Sequence, residues 1–125
     1  MKLECLADGS PDCPLVRLYD FTSAEARQLL AAVADLASGT AERIEVHRLS
    51  FVESIGGCRL RLVRKSWDHA VLQVGPSVFE CGLTDGTWDK VAGLLEPFAG
   101  SAGGYQWLAG SPGEAALLLS ASGTW

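Results

Sequence analysis

At 125 residues and 48% hydrophobic, the chain has the size and composition of one globular domain, able to fold without a metal or a disulfide. It carries 15 acidic residues against 10 Lys and Arg, a net charge of −5 that weighs against general nucleic-acid binding. No apolar run approaches the ~18 residues of a membrane span, and Met1-Lys2-Leu3-Glu4-Cys5 lacks the apolar core of a signal peptide, so a cytoplasmic protein away from the membrane is expected.

The segment from Lys2 to Ala7 reads as a first strand, followed by a run of turn formers from Asp8 to Asp12. Leu15 to Tyr19 reads as a second strand. Thr22-Ser23-Ala24-Glu25 fits a capping box, in which the Thr hydroxyl and the Glu carboxylate each take a backbone amide at a helix start. Leu29, Leu30, Val33, Leu36 and Ala37 then fall on one helical stripe up to Ser38, and Gly39 supplies a left-handed stop. Glu42 to Leu49 alternates as a strand, with Ile44 and Val46 inward and His47 outward. Ser50 to Gly57 is expected to be a connection. Cys58 to Lys65 alternates again, with Cys58, Leu60 and Leu62 inward and Arg59 and Arg61 outward.

The same order then recurs. Ala70 to Val74 and Val78 to Cys81 read as strands about the turn Gly75-Pro76-Ser77. Thr84 or Thr87 caps a second helix with the stripe Trp88, Val91, Leu94, Leu95 and Phe98, closed by Gly100. Tyr105 to Leu108 and Ala115 to Ser120 are strands about the turn Gly110-Ser111-Pro112-Gly113, the last of them apolar enough to be central. The expected fold is α+β: a mainly antiparallel β-sheet with two α-helices packed on one face, in a single compact domain over 1–125. Residues 2–65 and 70–120 are expected to be two copies of one ββαββ unit.

Six of the ten basic residues lie between Arg43 and Lys65. Arg59, Arg61 and Lys65 would form a row with a spacing of about 7 Å along one strand face, suited to an acidic or mixed-charge protein partner. Glu45, Glu53 or Glu80 could instead lie across the sheet and pair with them. Trp67, at a hairpin tip beside this row, would add an interface anchor. The leading expectation is a non-enzymatic protein-interaction module (an accessory subunit, regulator or toxin-neutralising partner) that binds another protein, or a second copy of itself, through Arg59, Arg61, Lys65 and Trp67.

Two alternatives use other chemistry. Cys58 follows Gly56-Gly57, whose amides could hold an anion, and with His47 or His69 it could act as a nucleophile in a small thiol enzyme. The Arg43–Lys65 stretch could bind nucleic acid, against the net charge. The four cysteines form no C-x-x-C pair or zinc spacing, and without a secretion signal disulfides are not expected. No P-loop, EF-hand loop or H-E-x-x-H occurs, so no catalytic residue, metal or cofactor is assigned.

Overall fold

A computed structural model describes residues 1–6, 14–100, 103–110 and 115–123. Ala7, the turn from Asp8 to Asp12, Cys13, most of the turn after Gly110 and Trp125 lie outside the described residues. Among the described residues the order is β1 (Lys2–Leu6), β2 (Leu15–Tyr19), α1 (Ser23–Ser38), β3 (Arg43–Glu45), a 3-10 turn (Val46–Arg48), β4 (Glu53–Ser54), β5 (Arg59–Arg64), β6 (Ala70–Gly75), β7 (Val78–Leu83), α2 (Asp85–Ala99), β8 (Tyr105–Ala109) and β9 (Ala116–Ser120).

The α+β class holds, but the strands form two mixed sheets instead of one mainly antiparallel sheet. The orders are β4-β1-β2-β9-β8 and β3-β5-β7-β6. Within each sheet two antiparallel pairs meet along a parallel seam, β2 with β9 in the first and β5 with β7 in the second. Of the seam strands, β9 is buried along its whole length, whereas β5 alternates arginines with buried leucines. Each sheet therefore takes one strand pair from each half of the chain. The expected duplication is not shown: the first half carries the additional strand β4, and the halves do not pack as two separate units.

Local chemistry sets the helix ends. The Thr22 hydroxyl accepts from the Glu25 amide, and the Glu25 carboxylate accepts from the Thr22 amide at 3.0 Å, which completes the capping box. Glu25 also accepts from the ammonium of Met1 at 2.6 Å, and together these bonds hold its carboxyl below the usual carboxylate range. Gly39 ends α1 with φ 84°, a conformation that a side chain disfavours. Thr84 caps α2. Leu29, Val33 and Leu36 of α1 and Trp88, Val91 and Leu95 of α2 share one core with Leu3, Leu18, Leu117 and Leu119 of one sheet and Leu60, Leu62, Phe79 and Cys81 of the other. The Trp88 indole N–H donates to the Val63 carbonyl at 3.0 Å, so this buried ring leaves no polar atom unpaired. Leu30, Ile44 and Leu94, expected inside, are only partly buried at its rim.

Three local expectations change. The strand expected to reach Leu49 stops at Glu45. Arg64 donates its amide to the Glu42 carbonyl, so two-residue alternation would next bring the Leu60 amide to the Val46 carbonyl. The chain turns there instead, and His47 Nδ1 accepts the Leu60 amide at 3.2 Å in place of that carbonyl. The connection after Ser50 holds a short strand, β4, parallel to β1, with the Glu53 amide on the Met1 carbonyl at 2.8 Å. Finally, Cys5 and Cys58 form a disulfide with a Cα separation of 5.7 Å, contrary to the expectation of free thiols. This bond joins β1 of the five-stranded sheet to the residue before β5 of the four-stranded one.

Candidate functional site

The four-stranded sheet sends Leu60, Leu62, Phe79, Cys81 and Val71 into the core. By alternation its opposite face carries Arg59, Arg61 and Val63 of β5, Val78 and Glu80 of β7, and Leu72 and Val74 of β6. The register sets Glu45, Arg61, Glu80 and Leu72 in one row across the four strands, and Arg59 beside Val78 in the next. This face is open to solvent: Leu72 is 48% and Val74 58% exposed.

The six basic residues of the stretch divide into two groups. Arg61 Nε donates to Glu45 Oε1 at 2.9 Å, and Lys65 Nζ lies 3.5 Å from Glu80 Oε1, so carboxylates across the sheet pair with both, as one sequence reading anticipated. Lys65 lays its stem over Gly82, where a Cβ would come within 2.8 Å of Lys65 Cγ; only glycine leaves that room. Arg64 leaves the face altogether. Its guanidinium packs on Gly39 at the end of α1 and binds Asp85 at the start of α2 at 2.6 Å, with Glu42 at 3.4 Å, and it remains firmly protonated. Arg43, Arg48 and Arg59 are exposed and make no ion pair among the described residues.

Two of these three meet at a shallow cavity of about 120 Å³, lined by Glu45, His47, Arg48, Arg59, Arg61, Val74, Val78, Phe79 and Glu80. His47 is fixed there by the Leu60 amide on Nδ1, which leaves Nε2 as the ring N–H, 3.6 Å from Glu45 Oε2. The sequence reading placed Arg59 and Arg61 in a row on one strand face, without a cavity. Arg48, His47 and the apolar wall of Val74 and Val78 were not assigned to a binding face. Arg48 sits on a turn, where strand periodicity gives no signal.

Lys65 and Trp67 lie at the other end of the same sheet, about 20 Å along the strand from Arg59. Trp67 is 62% exposed and stacks on His69 with ring centroids 3.8 Å apart. The tip that carries it is anchored: Asp68 accepts from the Thr84 amide and from the Thr87 hydroxyl, both at 2.9 Å. Those bonds hold the Asp68 carboxyl below the ordinary aspartate range. Thus Arg59 and Arg61 share the cavity, while Lys65 and Trp67 form a separate edge of the face.

The residues of the thiol reading are not brought together as a catalytic pair. Cys58 is bonded to Cys5, His47 is committed to the sheet edge, and His69 lies under Trp67. The free Cys81 is buried, and burial pushes its thiol up to about 12, which makes it a poor nucleophile. Among the described residues no group of His, Cys, Asp and Glu is arranged to hold a metal ion, and no helix is long and apolar enough to cross a membrane. No family model matches the sequence, and no curated protein or solved structure matches the chain.

Proposed function

We propose that the chain is a small, non-enzymatic protein-interaction module that docks an acidic segment of another protein on the open face of its four-stranded sheet. One observation carries this reading: Arg48 and Arg59, both without a carboxylate partner among the described residues, line the same cavity on a face that also exposes Leu72 and Val74. Unpaired arginines beside exposed apolar side chains are the composition of a binding hot spot. Trp67, held at the far edge by Asp68, supplies an aromatic anchor. The three arginines of the Arg43–Lys65 stretch that make no ion pair among the described residues are few for tracking a phosphate backbone on a chain of net charge −5, which favours a protein partner over nucleic acid.

A cytoplasmic site of action belongs to the same proposal, with one condition. In a reducing compartment the Cys5 and Cys58 pair stands mainly as thiols, and the sheets are then held together by packing alone.

The test is affinity capture from the source cell, with wild-type protein and an Arg48→Glu/Arg59→Glu variant run in parallel. A partner retained by the wild type, weakened by salt and lost by the variant is the expected result. Equal capture by both proteins would remove this face from the reading. Light scattering on the purified chain separates a foreign partner from a second copy of the chain.

A further inference from the structure

We infer that the cavity on the four-stranded sheet is a receptor for one Asp or Glu side chain, delivered by an extended segment of the partner in which acidic and apolar residues alternate. This inference rests on the docking reading above and specifies its chemistry.

Charge balance comes first. Five ionised side chains line the cavity: Arg48, Arg59, Arg61, Glu45 and Glu80. Glu45 is already bound by Arg61 at 2.9 Å, and Glu80 has Lys65 at 3.5 Å. What remains without an opposite charge is Arg48 and Arg59. A guanidinium stays protonated at any physiological pH and offers parallel N–H donors that match a carboxylate. His47 Nε2, 3.6 Å from Glu45 Oε2, lies on the same side.

Size and lining narrow the occupant. A volume of about 120 Å³ lies well below the roughly 300–1,000 Å³ of pockets for drug-sized ligands and cofactors. It accommodates one side chain. Val74 and Val78 give it an apolar wall against which methylene groups can rest, while the arginines take the charged end. A free dianion would gain nothing from that wall and would face Glu45 and Glu80. Beside the cavity, Val74 and Leu72 continue as an exposed apolar strip on β6. An extended chain places alternate side chains on one side. An acid in the cavity therefore brings the next residue of the same side over that strip, and an apolar residue there covers it.

The experiment follows the side-chain Nε–H resonances of Arg48 and Arg59 by NMR during titration with an acetylated, amidated peptide of alternating Glu and Leu. Its Gln–Leu counterpart, glutarate and inorganic phosphate are titrated separately. The Glu peptide is expected to shift both arginines saturably and to bind at least about tenfold more tightly than the Gln peptide. Arg48→Gln and Arg59→Gln should each weaken it by about tenfold with the backbone spectrum otherwise unchanged, while Lys90→Gln, at an exposed position of α2 away from the cavity, should leave it bound. Equal binding of the Gln peptide overturns the inference. So does glutarate or phosphate binding as tightly as the Glu peptide, which would make the cavity a small-anion site, and so does the absence of a saturable shift. A captured partner that still depends on Arg48 and Arg59 while the Glu peptide leaves them unmoved would remove the side-chain receptor and keep the docking face.

Discussion

The two sheets face the core alike and differ on their other sides. In the five-stranded sheet the far side is sealed: Leu15 of β2 and Ala116 and Leu118 of β9 are fully buried there, flanked by Leu6 and Trp107. In the four-stranded sheet the far side holds the Glu45–Arg61 pair, unpaired Arg59, and exposed Leu72 and Val74. The sequence of each central strand already carries the difference. Ala116-Leu117-Leu118-Leu119-Ser120 has no polar alternation, and every residue is buried. Arg59-Leu60-Arg61-Leu62 alternates strictly, and only the leucines are buried. A strand with two apolar sides needs cover on both, and one with a charged side is left available for docking.

The largest effect should come from cutting the bond that ties the sheets together. Closing a loop over a sequence separation of 53 restricts the unfolded chain by about 4 kcal/mol on the chain-entropy estimate. Cys58→Ser should lower the urea midpoint accordingly relative to oxidised wild type, and an unchanged midpoint would mean that packing alone holds the junction. Next comes the contrast between the two far sides. Leu118→Ala should cost about 3 kcal/mol by opening a cavity, whereas Leu72→Ala should stay within about 0.5 kcal/mol. Similar losses in the two variants would show that both sides are covered. A smaller effect is expected at the anchor of the Trp67 tip, where Thr84→Ala should cost about 1 kcal/mol through the lost α2 cap and broaden the Trp67 indole signal.

The smallest effect separates the sheets by acid. Glu25 fastens Met1, just before β1, to α1, and Asp68 fastens the turn after β5 to α2. Both carboxyls lie below their ordinary values in the folded chain. Their contribution is therefore complete above the unfolded values of 4.5 for Glu25 and 3.8 for Asp68, and it is lost as pH falls through the folded ones. Glu25→Gln should flatten the acid limb of the stability profile, and an unchanged limb would assign acid sensitivity to other carboxylates.

Much of the local structure was legible because its causes are local. The Thr22–Glu25 capping box, the Gly39 stop, the Thr84 cap and the alternation of β5 all depend on neighbours within a few residues. Strand partners were not legible, because periodicity says which side of a strand is buried and not which strand lies beside it. The β2–β9 and β5–β7 seams were missed for that reason. The Cys5–Cys58 bond depends on a spatial separation that spacing in the chain does not encode. At the site, Arg59 and the exposed Trp67 were readable, whereas the pairing of Arg61 and Lys65 needed the cross-strand register. The end of β3 escaped notice because an imidazole, not a backbone carbonyl, takes the Leu60 amide.

The position of β9 bears on how the molecule is made. It is the last strand among the described residues, yet it lies inside the five-stranded sheet between β2 and β8. During synthesis β2 emerges well before its parallel neighbour, because β3 to β8 and both helices lie between the two in the chain. Throughout that interval the side of β2 that will meet β9 has unsatisfied backbone groups, so the nascent protein passes through a stage open to mispairing, and its five-stranded sheet closes only once β9 has emerged.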